Sequence, residues 1–257
     1  MNTPVSPLSA LLGSLAWRWH ATGHGDRPEV AVSVIASVCL FDASTADLGH
    51  TPLTELTHAP PQAFITELWA RWNLASVHWP PLHRHWLPFF EWMFPEVRKP
   101  GALRAGLVAA AIDTARAALD AGLCAHLARP DTRHGVNVLG RTLDLMRDPS
   151  AEPAAPQTPT PALGVPGPGG TVTDAHTGTG TRVLHLAGRL RKAGIDPADI
   201  TWQLRCEDPL TAATVAASSV LWGTADRTMI AVAAPDDPSW VRRAQADFND
   251  ALRRYHY

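Results

Sequence analysis

Cysteine is scarce in this sequence: Cys39, Cys124 and Cys206 are the only three among 257 residues, and they lie far apart. So few and so dispersed, they offer no Cys-x-x-Cys metal knuckle and no disulfide framework, and they suit reduced thiols in a cytoplasm. An excess of positive charge is missing too, with a net charge of −2 and a pI near 6.6. A nucleic-acid binder usually shows a basic balance or patch, so composition lends no support to a DNA partner. No apolar run reaches the roughly 18 residues of a membrane span, and the N-terminus lacks a basic stretch ahead of an apolar core. The expectation is a cytoplasmic protein with no membrane partner. Charged residues make up only 18% against 46% hydrophobic, which describes an ordered globule with enough mass for a core. Tyrosine is limited to two residues while Ala, Arg and Pro abound, a bias that a GC-rich genome also produces.

What is there centres on Thr171-Val-Thr-Asp-Ala-His-Thr-Gly-Thr-Gly-Thr181. A β-prone run meets Asp174, then a Gly178-Thr179-Gly180 turn, then a segment of helical composition from Arg182 to Ala193. Strand, glycine turn and helix is the order in which backbone N–H groups and a helix N-terminus are presented to a ligand. Glycine lacks a Cβ, so Gly178 and Gly180 would let the backbone approach that ligand closely. Ile200–Cys206 reads as a second buried strand and ends in Glu207-Asp208. A carboxylate there is where nucleoside sites hold ribose hydroxyls. Its distance from the glycines exceeds the roughly 20 residues of the NAD fingerprint, which disfavours NAD. A helix (Pro209–Leu221), a third strand (Thr228–Ala233) and a last helix (Ser239–Arg254) follow. Alternating strands and helices predict a parallel sheet covered by helices.

The earlier part of the chain reads as helical. Apolar spacing predicts helices over 7–21, Gln62–Ala75, Pro81–Phe94, Ala102–Ala128 and Val136–Met146, with a connection over 43–61. The apolar run Glu29–Phe41 fits a buried strand or a buried helix, and periodicity does not separate them. Seven of the ten tryptophans (Trp17, Trp19, Trp69, Trp72, Trp79, Trp86 and Trp92) precede residue 93. They read either as a surface for stacking bases or, more simply, as a helical core built with large side chains. His58, His78, His83 and His85 invite a metal, but there is no His-Glu-x-x-His and no nearby cysteine, so no metal site is assigned. From Asp148 to Gly170 seven prolines intervene, a composition incompatible with helix or sheet ladder. It predicts a semi-rigid spacer of up to about 60 Å at about 3.1 Å per residue. The domain organisation expected is therefore 1–147 helical, 148–170 linker, and 171–257 α/β.

Four segments together resemble N-6 adenine DNA methyltransferase-like proteins of high-GC actinobacteria. They are Asp174-Ala-His-Thr-Gly-Thr-Gly180, Trp202–Asp208, Val215-Ala-Ala-Ser-Ser-Val-Leu-Trp-Gly223 and Pro235-Asp-Asp-Pro-Ser-Trp240, and residues 5–147 resemble that family's N-terminal helical part. The resemblance implies a mixed fold: an α-helical N-terminal domain plus a truncated α/β Rossmann-like methyltransferase domain. It favours helix for Glu29–Phe41. It also implies S-adenosylmethionine as cofactor, contacted by Asp174, Thr177, Gly178, Thr179, Gly180, Glu207 and Asp208, with Cys206 standing where the family has its ribose-binding Asp.

The chain departs from that family where the chemistry is done. Adenine N-6 methylation uses an (Asp/Asn)-Pro-Pro-(Tyr/Phe) loop on a base flipped out of the duplex. After residue 170 nothing matches it, and Asp236-Asp237-Pro238-Ser239-Trp240 comes nearest. That segment reads better as a helix start, with Asp237 as N-cap and Pro238 at the first position. Trp79-Pro80-Pro81-Leu82 precedes the cofactor motif and reads as a helix entry as well. Of the family's aromatic Thr-Pro segment only Val165-Pro166-Gly167-Pro168 remains. No catalytic residue is assignable. Two functions stay open: a methyltransferase-like protein with a remnant cofactor site, or a non-catalytic scaffold, DNA-associated or not, whose sheet another protein or a second copy completes. Arg182, Arg189, Arg191 and Lys192 would give a DNA-binding module its basic face, or else a solvated helix face.

Overall fold

The computed structural model describes residues 6–41, 51–99, 105–151 and 163–255. Parts of three sequence-derived segments, 43–50 of the first connection, 102–104 of the long helix and 152–162 of the linker, lie outside these. The helical region comprises α1 (Pro7–Ala21), α2 (Pro28–Phe41), α3 (Leu53–Leu56), α4 (Pro61–His78), α5 (Leu87–Phe90), α6 (Phe94–Arg98), α7 (Ala105–Asp120), α8 (Leu123–Ala128), α9 (Pro130–Arg133) and α10 (Val138–Arg147). Then come β1 (Thr171–Asp174), α11 (Thr181–Lys192), β2 (Thr201–Cys206), α12 (Pro209–Leu221), β3 (Thr228–Val232) and α13 (Trp240–Tyr255).

Local chemistry sets most boundaries. Ser6 accepts the Ser9 N–H at 3.2 Å and Pro7 fills the first position of α1, a start that satisfies one orphan donor and removes another. The ambiguous run at Glu29–Phe41 is helix α2, buried from Val30 to Val38 without a break. Two expected helices are interrupted. Pro81–Phe94 is not one α-helix but a 3₁₀ segment (Pro80–Trp86), α5, a second 3₁₀ turn (Glu91–Met93) and the start of α6. Pro88 has no N–H to donate and its ring crowds the preceding turn, so the ladder cannot run through. Ala102–Ala128 divides at Gly122, whose φ of 74° ends α7 and starts α8. The last helix begins at Trp240, later than expected, and Asp237 instead closes a turn by accepting Ser239 N–H at 2.8 Å and Ser239 Oγ–H at 2.6 Å.

The three strands are parallel in the order β1-β2-β3, with Asp174 beside Leu204 and Cys206 beside Val232. One sheet face (Val172, Trp202, Leu204, Cys206 and Ile230) packs in the same core as α11 and α12. The other face of β3 (Met229, Ala231) is covered by Trp240 and Ala244 of α13. The 3₁₀ segment Pro80–Trp86 packs on β3, α12 and α13 together, with Arg84 paired to Asp247. Among the described strands none pairs with the outer edge of β1 or of β3; the Pro80–Trp86 segment packs beside β3.

The helical and sheet-bearing regions, separated in sequence by the proline-rich stretch, share one hydrophobic core. α12 is buried from Thr211 to Ser219 because it lies between the sheet and the α2, α10 and α5 helices. Arg147 at the end of α10 donates to Asp208 at 2.7 Å, tying the regions at the surface as well. The early tryptophans serve mainly as core. Trp19, Trp72 and Trp86 are wholly buried, and Trp72 meets Phe41, Trp86 and Phe89 with ring centroids 5.2, 5.5 and 5.2 Å away. Trp17 alone among the large apolar side chains is 70% exposed. No helix of the described residues is long and apolar enough to cross a membrane.

Candidate functional site

The carboxyl end of β1 gathers the expected residues. Asp174 is 2% exposed, since it points from the strand into the covered face of the sheet. Its Oδ1 accepts the His176 N–H and an Arg182 Nη1–H, both at 3.0 Å. Its Oδ2 is buried with no hydrogen-bond partner. A buried carboxylate oxygen without a donor costs on the order of 1–3 kcal/mol or more, so an orphan here calls for an explanation. Thr177 donates to the Asp174 carbonyl at 3.1 Å and is thereby committed to the turn.

The two glycines differ. Both have positive φ, 51° at Gly178 and 95° at Gly180, which explains why glycine is needed at each. A Cβ at Gly178 would meet nothing within 4 Å, whereas one at Gly180 would stand 2.5 Å from Trp222 Cη2. The missing side chain of Gly180 thus makes room for the Trp222 indole. The turn is also held from outside: Asn137 Nδ2, at the N-cap of α10, donates to Thr179 O at 2.9 Å and to Thr181 Oγ1 at 3.1 Å. What the turn leaves open is the Gly178 side and the start of α11, which has no side-chain cap. Gly180→Ala is expected to cost about 3 kcal/mol, strain plus overpacking, and Gly178→Ala about 1 kcal/mol, strain alone. Urea melts of the two variants would check the order, and equal losses would refute it.

The second strand's acids divide as well. Glu207 is exposed. Asp208 is the N-cap of α12: it accepts the Thr211 N–H at 2.9 Å and the Thr211 hydroxyl at 2.6 Å, besides Arg147. Burial pushes its carboxyl up, but the Thr211 bonds and Arg147 outweigh that and hold it below the usual range. Its oxygens are therefore spent on the fold. Cys206 is buried, and desolvation first, then the Asp208 and Asp174 carboxylates, push its thiol well above the usual range. It is a neutral core thiol and no substitute for a ribose-binding acid.

Sequence reasoning overlooked Arg205. It is 1% exposed and donates through Nε to Ala175 O at 2.6 Å and through Nη1 to Ala233 O at 3.0 Å, while Nη2 lies 3.4 Å from His176 Nδ1. One guanidinium thus pins the loop after β1 to the end of β3. The available signal was an arginine inside the apolar run Trp202–Cys206, a position that solvent does not reach. The cations proposed as a basic face are largely engaged: Arg182 with Asp174, Arg189 with Leu163 O at 3.0 Å, and Arg191 with Trp222 O. Lys192 is exposed. Among the histidines, His85 is buried, and desolvation with Arg84 nearby pushes it down to about 4, so it is neutral at pH 7. Among the described residues, no group of three or more His, Cys, Asp and Glu could hold a metal ion.

Set beside known proteins, the chain stands apart: no protein-family model matches it, and no curated protein or solved structure does either.

Proposed function

We propose that this chain is an N-6 adenine DNA methyltransferase-like protein that keeps a Rossmann-like half-sheet with an S-adenosylmethionine-type site and lacks a catalytic loop of its own. The observation that carries the reading is Asp174: a buried carboxylate at the end of the first parallel strand, one oxygen without a donor, next to a turn whose Gly178 side is clear. Ligands of open parallel sheets sit outside the carboxyl ends of the strands, where a free carboxylate oxygen could receive an ammonium or hydroxyl hydrogen. Asp174, the Gly178 backbone and Glu207 would hold the cofactor, whose sulfonium supplies an electrophilic methyl group when bound. Asp208 and Gly180, engaged with Thr211, Arg147 and Trp222, would contribute only indirectly.

A second reading has its own support. The same commitment of Asp208 and Gly180, together with the open edge of β1, favours a non-catalytic scaffold that a protein partner or a second copy completes. Calorimetric titration with S-adenosylmethionine separates the two. Saturable binding that Asp174→Asn abolishes, with the melting temperature little changed, supports the cofactor site. Absence of heat at millimolar ligand sinks it and leaves the scaffold.

A further inference from the structure

The strongest surface feature lies away from the sheet, where α1 and α7 run side by side. Two adjoining grooves follow their seam, with volumes of about 540 and 270 Å³, and they share Leu15, Arg18 and Ala117. Trp17, 70% exposed, stands at the rim of the smaller one. An exposed indole beside a concave apolar seam is the type of feature that anchors interfaces, since burying one large rigid ring removes much apolar area at little entropic cost.

The charges on the seam say what covers it. Arg18 and Asp120 line the same groove, yet neither makes an ion pair or a side-chain hydrogen bond with a described residue. By contrast Asp113, on the same helix as Asp120, is paired with Arg116. Among the described residues the groove thus presents Arg18 and Asp120 without partners, on opposite helices and displaced along the seam. A surface with that property is complementary to itself. A two-fold axis passing midway between the two side chains lays Arg18 of each copy over Asp120 of the other, twice in one contact. Trp17 adjoins Arg18 in the chain and stands at the rim of the adjoining groove, so such a contact would cover its ring.

We propose that the α1–α7 seam is an isologous dimer interface between two copies of this chain, anchored by Trp17 and registered by reciprocal Arg18–Asp120 pairs. The interface is on the helical region and does not involve the open edge of β1. All three side chains are exposed, so changing them leaves the core intact.

Sedimentation equilibrium of the full chain tests it. The wild type is expected to move from 27.7 kDa towards twice that mass as its concentration rises through the micromolar range. Arg18→Glu and Asp120→Arg, each placing like charges together twice, are each expected to weaken the dimer at least roughly tenfold. Trp17→Ala is expected to do the same. An equimolar mixture of Arg18→Glu and Asp120→Arg restores both pairs, and with them the dimer. A wild type that stays at the monomer mass overturns the proposal. So does a dimer indifferent to the charge reversals, or a mixture that fails to recover.

Discussion

A fragment beginning at residue 163 is expected not to fold on its own, although the proline-rich stretch before it looks like a place where the chain divides. The reason is α12. Nine consecutive residues, Thr211–Ser219, are buried, which one helix achieves only with neighbours on opposite sides. The sheet supplies one side and α2 with α10 the other. Removing the helical region would expose Val215, Ala216 and their neighbours and leave Asp208 without Arg147. A small domain of under about 100 residues has only a few kcal/mol to lose, and each large apolar side chain returned to water takes about 1.5–3 kcal/mol. Far-UV circular dichroism of the fragment should show no cooperative melt, and mixing with a fragment ending at residue 151 should restore one. A sharp melt from the isolated fragment would show that the sheet region is self-sufficient.

Trp72→Ala should be the most damaging single substitution. The ring is wholly buried and meets three other aromatic rings within 5.5 Å, so truncation leaves a cavity that rigid neighbours cannot collapse into. Such changes cost about 4 kcal/mol. At about 2–4 °C per kcal/mol for a chain of this size, the melting temperature should fall by roughly 8–16 °C. The result also discriminates between the two readings of the tryptophan-rich region. A ring kept for stacking bases would be dispensable for stability, and a loss below about 1 kcal/mol would point that way.

Much of the fold can be read from the residues, and the reasons are local. α12 follows its sequence signals from Pro209 to Leu221 because Asp208 caps it and a run of apolar and small residues fills it. The strands are equally plain, being short β-prone runs, the first of them set between Gly170 and the glycine turn. Glu29–Phe41 was ambiguous because burial on every side erases the periodicity that separates helix from strand. Pro81–Phe94 misled because its apolar spacing is helical while its prolines forbid a continuous ladder. The site was legible to the level of residue types and no further. Asp174 lies where it was expected, but Asp208 is diverted by an arginine about 60 residues earlier, and Gly180 by a tryptophan about 40 residues later. Such pairings exist only once the chain has folded, so spacing in sequence cannot announce them.

The sandwiching of α12 has a consequence for the order of synthesis. On the ribosome α2 emerges early, but one of its walls is a helix that ends at Leu221, near the end of the chain. At about 5–20 residues per second, roughly ten to forty seconds separate the two. Throughout that interval a strongly apolar helix waits without that wall, in a nascent chain that has seven of its ten tryptophans by residue 92. This protein should therefore lean on chaperones that hold nascent apolar surface, and its yield should depend on translation speed more than its finished stability suggests.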